Sequence, residues 1–156
     1  MDSIKRGIDN NFCEAIRDVT WRQSSPKMAH LIGTMIRDNE TDSVKDKEFY
    51  LIDTCHLFPK DIVKENLENT VIIFIGYTEL NPEKKLKYMR SHDKSNLWTS
   101  KASDERNIYN LELGIPYSKA VKEECEEVGI KYFDTSKNFK KNINEAYKYI
   151  LNEMKD

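Results

Sequence analysis

The chain has 156 residues, which suits one compact domain and leaves little room for a second. Lysine and arginine number 25 against 27 acids, a formal net charge of −2, so the whole-protein field favours no polyanion and disfavours a nucleic-acid polymer as the main ligand. No run approaches the ~20 apolar residues of a membrane span, the start MDSIKRGIDNNF lacks a signal-peptide core, and Cys13, Cys55 and Cys125 are odd in number and fall in no metal-ligand spacing. A soluble protein of the reducing cytoplasm, without a membrane partner, is expected.

The first segment places Ile4, Ile8, Phe12, Ala15, Ile16 and Val19 on one helical face. Ser25 as N-cap and Pro26 as first helical residue then open a second helix, with Met28, Leu31, Ile32, Met35 and Ile36 as its buried stripe. The polar run RDNETDSVKDKE reads as loop. FYLID, residues 49–53, has the length and apolar content of a strand buried on both faces, as in parallel sheets. PKDIVKENLEN follows as a short helix, and TVIIFIGY as a second buried strand ending at Gly76.

Asn81 and Pro82 start the helix NPEKKLKYMR, which turns Leu86 and Met89 inward. The polar stretch SHDKSNLWTSKASDERN, residues 91–107, reads as a long surface excursion. Ser103 caps NIYNLELG, which Gly114 ends, and the helix SKAVKEECEEVG stops at Gly129. KYFDTS is a third strand-like run. The last helix is amphipathic, with Phe139, Ile143, Ala146, Tyr147, Ile150, Leu151 and Met154 on its apolar face. Strands alternating with helices predict the α/β class, with FYLID, VIIFI and KYFDT parallel in one sheet flanked by helices.

In such sheets ligands gather beyond the carboxyl ends of the strands, where Asp53, Gly76 and Asp134 fall. A carboxylate there can hold a hydrated Mg²⁺ or a substrate hydroxyl, with Thr54 and His56 adding polar contacts. The alternative is that Asp53 caps the following turn. His30 and His92 are read as structural and exposed respectively, and Trp98 as a loop anchor. No histidine has a serine or cysteine partner in a nucleophile motif, so triad hydrolysis has no support. Cys55 and Cys125 read as small buried apolar residues.

From FYLID to the C-terminus the chain resembles the later portion of small P-loop kinases of the adenylate and shikimate kinase type. FYLID resembles their Walker B strand, TVIIFIGY their next core strand, the helix ending in Arg90 the arm of their mobile lid, residues 91–107 the lid, and YFDTSKNF the strand and loop that approach the adenine. The resemblance implies a single domain over residues 1–156 with a three-layer parallel sheet flanked by helices, and phosphoryl transfer from ATP with Mg²⁺ to a small-molecule or nucleotide acceptor. It assigns Asp53 to the metal and to catalysis, Arg90, Lys101 and Arg106 to the transferring phosphate, and Asp134 and Ser136 to the nucleotide. Taken singly, each of those cations also reads as solvated surface charge.

The P-loop GxxxxGK[ST] is absent: the glycines stand at 7, 33, 76, 114 and 129, and none precedes a lysine. In the kinases the strand before that loop lies between the two that FYLID and VIIFI would supply. Two explanations stay open, an upstream segment beyond Met1 or a non-catalytic binding or interaction domain that has lost the cradle. Without the strand, the sheet is expected to close by direct pairing, through the N-terminal helices or through another chain, leaving the domain marginal or oligomeric. A Rossmann-type cofactor binder is disfavoured because no GxGxxG follows a strand.

Overall fold

The computed structural model describes residues 21–37, 51–55, 57–92 and 97–155. The expected first helix over 4–19, Cys13, the loop over 38–48, Phe49, Tyr50, His56, residues 93–96 of the excursion and the side chain of Trp98 lie outside the described residues. The elements in chain order are α1 (21–37), α2 (Pro59–Ile62) with a 3₁₀ turn (Val63–Glu65), β1 (Ile73–Gly76), α3 (Pro82–His92), α4 (Leu97–Ser100), α5 (Asp104–Val128), β2 (Lys131–Asp134) and α6 (Phe139–Glu153). They form two compact units, residues 1–70 and 71–156.

In the first unit α1 runs unbroken through Ser25 and Pro26, so this pair does not start a helix. Ser25 is fully buried, and its Oγ accepts the Phe58 amide at 2.8 Å. That bond satisfies the N–H at the entry to α2, which Phe58 caps without a side-chain bond of its own. The guanidinium of Arg22 lies 4.5 Å from the Phe58 ring centre. At the far end of α1, Arg37 donates to the Glu65 carboxylate at 2.9 Å and to its carbonyl at 3.2 Å. Ala29 and Ile32 are buried, whereas Leu31 and Met35, expected inside, are half exposed.

The second unit is a parallel βαβ arrangement. β1 and β2 pair directly in the register Ile73↔Lys131 to Gly76↔Asp134. Between them run α3, α4 and α5, and Gly129 closes α5 in the left-handed region (φ 76°), with its amide on the Cys125 carbonyl. Alternation along the strands puts Phe74 and Tyr132 on one face, toward α5, and Ile73, Ile75 and Phe133 on the other. Phe133 meets Tyr149 of α6 edge to face at 5.8 Å. Leu86, Leu111, Leu113, Val121, Cys125, Phe133 and Ala146 are buried.

This overturns the expected fold class. The described residues are 67% helical with a two-stranded parallel sheet, not a three-layer parallel sheet of the P-loop NTPase kind. Leu51, Ile52 and Asp53, the described part of FYLID, have no regular structure, and Leu51 is 94% exposed. An apolar run becomes a strand only where a neighbour takes its amide groups, and here Ile73–Gly76 pairs with Lys131–Asp134. Gly114 does not end a helix; α5 passes through both Gly114 and Pro116 and so merges two expected helices into one of 25 residues. No helix among the described residues is long and apolar enough to cross a membrane.

Candidate functional site at the strand ends

Two parallel strands finish side by side at Gly76 and Asp134. The chain beyond β1 is fastened to the chain beyond β2 by a cluster of polar groups. The Thr135 amide and hydroxyl both donate to the Gly76 carbonyl, at 2.8 and 2.9 Å. Asp134 takes the hydroxyls of Thr78 and Ser136 in short hydrogen bonds and the Ser136 amide at 2.9 Å, an Asx turn that reverses the chain toward α6. Ser136 Oγ in turn accepts the amides of Thr78 at 2.9 Å and Glu79 at 3.0 Å. Burial pushes the Asp134 carboxyl up, but the hydroxyls of Ser136 and Thr78 and their amides outweigh it and hold the group below its ordinary range.

The crossover carries the second part of the site. Tyr77, the first residue past β1, donates its amide to Ser118 Oγ and its hydroxyl to the Leu111 carbonyl, both at 3.3 Å. The end of β1 is therefore level with the middle of α5. From Ser118 back to Asp104 the helix continues for about 20 Å at 1.5 Å per residue, past the carboxyl ends of the strands, with α3 packed along it. Gly114 is glycine because a Cβ there would overlap the Tyr77 hydroxyl.

At the tip of this arm, Arg90 pairs with Asp104 at 2.7 Å and donates to the Thr99 carbonyl at 3.2 Å. Asn107, fully buried, donates to the same carbonyl at 2.9 Å and to that of Ala102 at 3.2 Å. Ser103 caps α5 as expected, accepting the Arg106 amide at 3.3 Å. The Arg106 guanidinium lies 5.5 Å from the Tyr109 ring centre, and Lys101 is exposed. Arg90, Lys101 and Arg106 thus gather around one turn, while Asp134 and Ser136 gather at the strand ends. Asp53 is exposed and belongs to the 1–70 unit. Among the described residues no cluster of three or more His, Cys, Asp or Glu side chains is placed to hold a metal ion.

Four participants escaped the sequence reading. Thr78 and Tyr77 lie past the strand end, where only pairing with β2 and α5 gives them partners. Asn107 sits among exposed neighbours in sequence and is buried by the turn folding over it. Lys85 Nζ stands 4.7 Å over the ring of Phe139, the first residue of α6, and burial lowers its pKa. A lysine within a helix written PEKKLKYMR gives no sequence signal of that placement. Lys137, Lys140 and Lys141 follow the Asp134 turn directly, and Asn138 caps α6 by accepting the Lys141 amide at 3.1 Å.

No protein-family model, curated protein or solved structure matches the chain.

Proposed function

We propose that the chain is a kinase-like protein that handles a nucleoside triphosphate or a phosphorylated small molecule at the carboxyl ends of β1 and β2. The observation that supports this is the side-by-side arrival of two parallel strands beneath a crossover arm that carries Arg90, Lys101 and Arg106. Ligands of parallel βαβ units collect at that edge. The strand-end polar turn would meet the sugar or base, Lys85 and the lysines opening α6 would meet phosphate, and the arm's cations would close on the transferring group and spread its charge. ATP and Mg²⁺ are the ligands proposed, with the metal carried in by the phosphates. The 156 residues contain no GxxxxGK[ST], so the N–H cradle that gives such proteins most of their ATP affinity is not supplied by them.

The test is calorimetric titration of the chain with ATP, with and without Mg²⁺. Weak binding, with Kd of order 1 mM, is expected to strengthen with Mg²⁺ and to weaken severalfold in Lys85→Ala and Arg106→Ala. Heats that ignore Mg²⁺ and both substitutions would overturn the proposal.

A second reading is a non-catalytic binding or interaction domain. It is favoured by the closure of Asp134, Thr78 and Ser136 upon one another, which commits their hydrogen-bonding capacity to the fold.

A further inference from the structure

Arg90 makes two contacts at the tip of the arm, and the turn there can keep its shape without either. The first is to the Thr99 carbonyl at 3.2 Å, which also accepts Asn107 Nδ2 at 2.9 Å. Asn107 is fully buried and holds the Ala102 carbonyl as well. When Arg90 moves away, the Thr99 carbonyl therefore keeps a donor and the turn keeps its fastening. The second contact is to the Asp104 carboxylate at 2.7 Å. Ser103, not Asp104, caps α5, by accepting the Arg106 amide at 3.3 Å, so the ion pair is not what starts the helix.

The effect of the pair falls on Arg90 itself. Its side chains are 40% and 63% accessible, and an ion pair so open to water adds little stability. Arginine takes carboxylate and phosphate oxygens through the same charge-assisted hydrogen bonds. Asp104 thus stands where a phosphate oxygen would, and any phosphate arriving at Arg90 has to displace it. The cations that share this turn are placed differently: Lys101 is exposed, and the Arg106 guanidinium lies beside the Tyr109 ring.

We infer that the Arg90–Asp104 pair is an autoinhibitory contact, in which Asp104 holds Arg90 in place of phosphate and is exchanged for the ligand while Asn107 keeps the turn folded. This rests on the phosphate reading of the arm given above. It makes Asp104 a positioning residue that acts through Arg90, and it sets a threshold: only a ligand whose charge outbids one carboxylate engages the arm.

Calorimetric titration with ATP and Mg²⁺ tests it. Asp104→Asn should bind about two- to fivefold more tightly than the unaltered chain, the factor that corresponds to releasing an exposed ion pair. Asp104→Glu, which keeps the carboxylate, should not. In an Arg90→Ala background the gain from Asp104→Asn should vanish. Glu105→Gln, the same charge change at the next exposed acid of the first turn, should give a smaller gain. Should Asp104→Asn fail to fold, Asp104→Ser carries the same expectation. Affinity that Asp104→Asn leaves unchanged, a gain that persists without Arg90, or an equal gain in Glu105→Gln would overturn the inference and leave the phosphate reading in force. No ATP binding in either the unaltered chain or Asp104→Asn would overturn both.

Discussion

The hydroxyl of Tyr77 donates to the carbonyl of Leu111 at 3.3 Å, joining the end of β1 to the middle of a 25-residue helix. Gly114 makes room for that hydroxyl one turn further on, and Pro116, inside the same helix, has no N–H to offer the Glu112 carbonyl. Helix propensity alone predicts that Gly114→Ala stabilises α5 by up to about 1 kcal/mol. The overlap with Tyr77 predicts the opposite sign, a loss of about 1–3 kcal/mol, and urea denaturation of the single variant decides. Tyr77→Phe should cost about 1 kcal/mol through the lost hydrogen bond.

The Asp134 carboxyl is held below its ordinary range in the folded chain. Such a group contributes stability that is present above its unfolded pKa of about 3.9 and is lost as pH falls through the lower folded value. Asp134→Asn should therefore be less stable than the unaltered chain at neutral pH, and the gap should narrow as the solution is acidified below about pH 4. Urea midpoints of both proteins across that range supply the check. A gap independent of pH would assign the effect to geometry rather than to charge.

Arg90 and Asn107 meet at the Thr99 carbonyl with unequal consequence. The Arg90–Asp104 pair is largely exposed, with side-chain accessibilities of 40% and 63%, so Arg90→Ala should cost no more than about 1 kcal/mol. Asn107 is fully buried and holds two carbonyls of the turn; Asn107→Ala should cost about 1–3 kcal/mol. Denaturation curves of the two variants should rank in that order. If Arg90 serves phosphate as proposed, Arg90→Ala should weaken ATP binding more than it affects the melting temperature.

Local chemistry was legible in the sequence. Asn81 with Pro82, Ser103 and Gly129 mark helix ends through groups within a few residues of them, and each stands at the boundary its type predicts. Two of the three expected strands were legible from their apolar runs: β1, within VIIFIG, and β2, KYFD, pair in parallel. FYLID was misread because its composition matches a buried strand, while strandhood depends on a neighbour that composition does not reveal. Ser25 misled in the same way: its hydroxyl, suited to a cap, is spent on the amide of Phe58, 33 residues away. At the candidate site, Asp134 and Ser136 could be placed at a strand end from sequence, but Thr78, Asn107 and Lys85 could not, since their partners lie in other elements.

The two described cysteines differ in the way burial requires. Cys125 is fully buried, and desolvation, with Glu124 and Glu126 adding to it, pushes its thiol up to about 12. Cys55 is exposed. A disulfide reagent at neutral pH should modify Cys55 in the folded chain and reach Cys125 only on unfolding, which peptide mass mapping would resolve. Rapid modification of Cys125 under native conditions would contradict the packing of α5 described above.

Phosphate-bearing ligands are proposed to engage the carboxyl ends of β1 and β2. Amide chemical shifts followed while ATP and Mg²⁺ are added to about 10 mM address it most directly. Saturable, Mg²⁺-dependent shifts are expected at Thr78, Glu79, Ser136 and Lys141 and in α3 near Lys85, with smaller ones in the first turn of α5. Shifts confined to the 1–70 unit, or none at the strand ends at saturating ligand, would contradict it.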